Sequence, residues 1–106
     1  MKVETIHVQS VSWHDKINGN TYHASKVFVN GRHVVSVSAE YGHDYVDTAF
    51  RELDESGITR RKVYSNGMHE SYWYYCSDND ITLTYESLPA LKRVVWKYGN
   101  AESVLV

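Results

Sequence analysis

The sequence predicts an α+β fold: an antiparallel β-meander of about three N-terminal strands packed by one main helix, with a further strand and one or two short helices in the C-terminal half. Three observations predict it. Asn18-Gly19 and Asn30-Gly31 punctuate runs in which polar and apolar residues alternate, and Asn-Gly tolerates the positive φ that tight hairpins require. Between Asp44 and Gly57, the residues Tyr45, Val46, Ala49, Phe50 and Leu53 recur at helical spacing. Further on, Ile81, Leu83 and Tyr85 alternate with Thr82, Thr84 and Glu86, the pattern of a half-buried strand.

Taken in order, residues 2 to 13 carry Val3, Ile6, Val8, Val11 and Trp13, a β-leaning set whose two-residue period breaks once, as at a bulge. The second strand, Thr21 to Val29, alternates Tyr22, Ala24, Lys26 and Phe28 against His23, Ser25, Val27 and Val29. Val35, Val37 and Ala39 mark the third. The helix over about 44 to 55 takes Asp44 as N-cap and Gly57 as its left-handed stop. Its apolar stripe is expected to lie across one face of the meander in a two-layer core. Met68 to Ser77 places Met68, Tyr72, Tyr75 and Cys76 on one helical face, although four successive rings also suit a strand. Pro89 suits the first position of a terminal helix with Leu88, Leu91, Val95 and Tyr98 on one side and Gly99 as its stop. A strand with Val94, Trp96 and Tyr98 facing inward competes with that reading. Residues 1–99 read as a single domain and 100–106 as a loose tail.

The totals narrow the function classes. A chain of 106 residues suits one core, burying roughly two-thirds of its unfolded surface. The formal charge of -2 offers no field that recruits a polyanion, so direct nucleic-acid binding is disfavoured. The lone Cys76 makes no intramolecular disulfide and fits a reducing compartment. The segment Met1 to His7 lacks the apolar core of a signal peptide, and no apolar run reaches the length of a membrane span. A cytoplasmic protein is expected.

Six histidines invite a metal site, yet His7, His14, His23, His33, His43 and His69 show neither the i, i+2 spacing of strand ligands nor the i, i+3/i+4 spacing of helical ones. No metal and no cofactor are expected. Ser10, Ser12 and Ser25 sit in no nucleophile elbow, the six glycines are isolated, and His23-Ala24-Ser25 lacks the second His-x-Ser/Thr copy of a two-histidine phosphoesterase. No catalytic residue is assigned, and the protein reads as a non-enzyme.

Rings are the surplus. Nine Tyr, three Trp and two Phe make 13% of the chain, more than a small core needs, so some are exposed or interfacial. Tyr72-Trp73-Tyr74-Tyr75 cannot all face one core, Arg60, Arg61 and Lys62 precede it, and Lys92, Arg93 and Lys97 interleave with Trp96 and Tyr98. Rings beside cations suit flat, anionic ligands, because bases stack on π-faces while Arg and Lys neutralise phosphate. Candidate ligand-binding residues are therefore Arg60, Arg61, Trp73, Tyr74, Lys92, Arg93 and Trp96, with His14, Lys16, Asn20 and Tyr22 as a second set on the first hairpin. The competing account is structural: the rings fill the core or a homo-oligomer interface, and Trp13 and Tyr22 are cross-strand partners about the Asn18-Gly19 reversal.

The string Trp13-His14-Asp15-Lys16-Ile17-Asn18-Gly19-Asn20-Thr21-Tyr22-His23-Ala24, with Val27-Phe28-Val29, Tyr41-Gly42 and Asp44-Tyr45 after it, resembles a group of small, uncharacterised tailed-phage and prophage proteins. These read W-x-D-K-x-N-G-N-T-Y and then a Tyr-Gly-Tyr-Gly-like element. The likeness covers the first half well and the second half loosely, and departs at His43, where a second Tyr-Gly pair is expected. It implies phage origin and, by analogy, a counter-defence role in the cytoplasm of a bacterial host. Joined to the ring-and-cation pattern, it yields two expected functions. One is a non-enzymatic homo-oligomer sequestering a nucleotide-derived immune signal of the cyclic nucleotide or ADP-ribose type. The other is an anti-CRISPR-like blocker of a host defence protein, with no small ligand.

Overall fold

In the computed structural model, residues 2–42 and 44–98 are described. They form β1 (Thr5–Asp15), β2 (Asn20–Val29), β3 (Arg32–Tyr41), α1 (Tyr45–Ser56), α2 (Tyr72–Asp78), β4 (Thr82–Pro89) and α3 (Lys92–Tyr98). The four strands make one mixed sheet in the order β3-β2-β1-β4. β1, β2 and β3 are the expected antiparallel meander, whereas β4 runs parallel to β1 along the other side of it. The expected α+β class therefore holds. His43, Gly99 and the tail 100–106, with the domain boundary placed at residue 99, lie outside the described residues.

Local chemistry explains each reversal. Asn30 and Gly31 both adopt positive φ, 52° and 82°, the conformation of a two-residue type I′ hairpin. The Asn30 carboxamide also accepts from the backbone N–H groups of Glu4 and Thr5 and donates to the Lys2 carbonyl, fastening the incoming chain to the turn. At the first hairpin, the Asp15 carboxylate accepts from the N–H groups of Ile17 and Asn18 and from the Asn18 side chain, and Gly19 takes φ 72°. α1 begins at the Asp44 side chain, which accepts from the Asp47 N–H, and ends at Gly57 in the left-handed conformation.

β1 pairs with β2 without interruption from Ile6↔Val29 to Asp15↔Asn20. The break in its apolar period is thus no bulge. It marks the point where the strand hands its apolar residues from one face to the other. Ile6 and Val8 project to the face covered by α1 and α2, in a core with Val27, Val29, Val46, Phe50, Leu53 and Cys76. Val11 and Trp13 project to the opposite face, where Val11 and Ala24 are buried together with Val95 of α3. The molecule consequently has three layers, with α3 adding one to the two expected. The register shifts lie instead between β2 and β3, at His23/Ser25 and at Val27/Phe28.

Two boundaries move. Pro89 closes β4 opposite Ser12 and does not open a helix, since α3 starts at Lys92. Of the expected stripe, Val95 is buried and Tyr98 packs against it, while Leu88 and Leu91 stay exposed. Met68 precedes α2 and is exposed; the helix starts at Tyr72 with the Ser71 hydroxyl accepting from the Trp73 N–H. Tyr72, Tyr75 and Cys76 pack on the core as expected. Burial lifts the Cys76 thiol to about 11, so it stays protonated and unreactive at neutral pH.

Arg61 is a structural residue and not a phosphate ligand. Its side chain has 0% exposure and bridges Asp54 on one side and Asp47 on the other, each at 2.9 Å, while also donating to the Glu70 carbonyl. It thereby ties the segment after α1 to that helix, with its guanidinium 5.5 Å from the Phe50 ring. Removing one partner of such a buried network leaves uncompensated charge, so Arg61→Ala is expected to cost about 3–5 kcal/mol. Urea denaturation checks this, with Arg60→Ala at the exposed neighbouring position expected to stay within about 0.5 kcal/mol of the parent.

Candidate functional site

The first hairpin and α3 build the site together. Because Trp13 and Tyr22 are register partners in the β1/β2 ladder, their rings stand side by side on the face opposite α1. They stack at 6.0 Å with 21° between planes. Tyr41, the partner of Tyr22 on β3, meets Tyr22 edge-on at 5.9 Å. Trp96 closes the group from above, 5.3 Å from Tyr22 and 6.3 Å from Trp13, at 75° to the latter.

Helical geometry sets the charge. Lys92 and Trp96 are four apart on α3 and therefore share a face. The Lys92 ammonium sits 5.4 Å from the Trp13 ring and 5.7 Å from that of Trp96, within cation–π range of both. Val95, buried against Val11 and Ala24, seats α3 so that this row meets the sheet. Trp13, Leu91, Lys92, Arg93 and Trp96 line an open groove of about 560 Å³ whose walls are mostly apolar. At its turn end, the Asp15 carboxyl is held below the ordinary carboxylate range, chiefly by the Asn18 backbone N–H and more weakly by Lys92.

Of the residues that sequence singled out, the groove unites Lys92, Arg93 and Trp96, with Tyr22 beside it against the Trp13 and Trp96 rings. It adds Trp13, which the alternating pattern already paired with Tyr22, and Leu91. Asn20 lies opposite Asp15 on the same face, and Lys16 sits in the exposed turn. His14 projects to the other face, where its Nδ1 is 2.9 Å from the Thr21 hydroxyl. Trp73 and Tyr74 belong to α2 across the sheet, 53% and 71% exposed. Arg60 borders a separate polar recess of about 460 Å³ with Lys62, Glu70 and Asp78, where acidic groups offset the cations. The two basic segments of the sequence thus serve different faces.

No family model, curated protein or solved structure matches this chain. The site is read from its own geometry.

The groove sets cations beside indole rings. Among the described residues, no three His, Cys, Asp or Glu side chains converge in the manner of a metal site. His23 turns Nδ1 to the Gly42 carbonyl at 2.8 Å, which makes that nitrogen the donor. Its Nε2 and the Ser25 hydroxyl are buried and have no hydrogen-bond partner among the described residues. No helix among the described residues is long and apolar enough to cross a membrane. What the groove supplies is two indoles at a steep angle and two cations.

The ring group is expected to behave as a coupled unit. A double-mutant cycle of Trp13→Ala and Tyr22→Ala, read by urea denaturation, should return a coupling of about 0.5–1.5 kcal/mol. The same cycle between Trp13 and Trp73, on opposite faces, should return none.

Proposed function

We propose that the protein is a non-enzymatic binder that sequesters a nucleotide-derived signal in the groove between the first hairpin and α3. The observation that carries this reading is the position of Lys92, whose ammonium lies within cation–π range of both Trp13 and Trp96 at the mouth of an open groove. A flat base entering there stacks on an indole face, a contact worth about 1–3 kcal/mol, while Lys92 and Arg93 neutralise phosphate. Stacking selects planar rings and the cations select negative charge, a combination that nucleotides meet. The phage-protein likeness of the Trp13–Ala24 string supplies the biological setting, counter-defence in a bacterial cytoplasm.

A second reading draws support from the opposite face. Trp73 and Tyr74 present exposed rings on α2, and such side chains anchor protein interfaces. In that reading the protein blocks a host factor and needs no small ligand.

Isothermal titration calorimetry against cyclic dinucleotides and ADP-ribose derivatives separates the two. The proposal expects at least one of these to bind, with Trp13→Ala and Trp96→Ala each weakening it by about 1–3 kcal/mol and Trp73→Ala leaving it unchanged. Lys92→Gln should lower the salt dependence of the affinity. If the whole panel fails to bind while a host protein is recovered in stoichiometric amount and lost with Trp73→Ala, the second reading stands and the first falls.

A further inference from the structure

We infer that β4 is the pairing edge of a symmetric dimer, in which two copies of the chain join their sheets antiparallel about Tyr85. The inference stands apart from the groove, which lies on the α3 face and binds or fails to bind whatever β4 does.

The backbone groups of β4 point alternately toward β1 and away from it. The Thr82 N–H donates to the Glu4 carbonyl at 2.9 Å and the Ala90 N–H to the Ser12 carbonyl at 2.8 Å. Even-numbered residues of β4 therefore turn both N–H and C=O toward β1, and Leu83, Tyr85 and Ser87 turn theirs away from it. Among the described residues no strand lies beyond β4. The outward set is bounded at both ends, because the Ile81 N–H is engaged by the Cys76 carbonyl at 2.9 Å and Pro89 has no N–H to offer.

The three outward positions are spaced symmetrically about Tyr85. An antiparallel second copy meets every one of them: Tyr85 faces the partner's Tyr85, and Leu83 exchanges both hydrogen bonds with the partner's Ser87. Charge agrees with the register. Glu86, the one charged residue of β4, falls opposite the partner's Thr84 and away from the partner's Glu86. Thr84 holds the His7 imidazole at 2.7 Å, and His7 already lies 4.0 Å from its own Glu86. The imidazole thus faces a carboxylate from each copy.

The flanks agree as well. Trp73 meets Tyr85 edge-on at 5.8 Å and leaves half of its own surface in solvent, and Leu88 is exposed on the opposite face. A second copy covers exposed apolar groups on both faces. By contrast β3, the other edge, carries two register shifts and the charges of Arg32 and Glu40, devices that discourage pairing.

Analytical ultracentrifugation with directed cross-linking tests this on the full chain. The parent should sediment as a dimer. Ser87→Pro removes only an outward N–H, so it should give a monomer with unchanged far-ultraviolet circular dichroism. In a hydrogen-bonded antiparallel pair the Cα atoms stand about 5.5 Å apart, within disulfide range. Tyr85→Cys should therefore form a covalent dimer under mild oxidation, and Ser87→Cys, displaced from the axis, should not. A monomeric parent, a dimer that survives Ser87→Pro, or a dimer in which Tyr85→Cys fails to cross-link would each overturn the inference. Protection of the Leu83, Tyr85 and Ser87 amides from exchange in a monomer would overturn it too, by assigning the edge to another segment of the same chain.

Discussion

The uninterrupted ladder between β1 and β2 is the constraint on which the other features rest. Ten consecutive residue pairs, Ile6↔Val29 to Asp15↔Asn20, keep a fixed register, and the pleat assigns every side chain to a face. Ile6 and Val8 must be covered on one side, and Val11 and Trp13 on the other. A strand with apolar residues on both faces requires a layer on each. α1 and α2 meet the first demand and α3 the second, and the groove arises where α3 crosses the Trp13–Tyr22 pair. Slipping the ladder by one residue would invert both faces at once.

Much of this was legible in the sequence, for local reasons. Asn30-Gly31 specifies a two-residue reversal through positive φ, and Asp44 and Gly57 bound α1 by satisfying backbone groups at its ends. These signals act within a few residues. The parallel placement of β4 beside β1 was not legible, because a pairing made across more than seventy residues leaves no local trace. Pro89 illustrates the limit: a proline at the start of an apolar stripe suits a helix N-terminus, yet it equally suits the end of an edge strand where no N–H is required.

The site divides along the same line. Trp13 and Tyr22 could be paired from the turn between them, and Lys92 and Trp96 from helical spacing. That the two pairs meet depends on Val95 docking onto Val11 and Ala24, a tertiary contact between distant segments. Arg61 shows the converse. In sequence it is one of three consecutive cations; in the fold it is enclosed by Asp47, Asp54 and the Glu70 carbonyl, and its charge is spent within the structure. Arg60, its neighbour, faces solvent. Charge runs cannot be divided into internal and external members without knowing which carboxylates the chain returns to them.

The three tryptophans report separately on the planar, anionic ligand proposed to sit between the hairpin and α3. Two line the groove and the third lies across the sheet. Nuclear magnetic resonance of the indole N–H groups during titration with a nucleotide that the protein binds is the decisive measurement. The Trp13 and Trp96 resonances should move together and saturate with one affinity while that of Trp73 stays in place. Movement of Trp73 with Trp13 and Trp96 unmoved would contradict that placement.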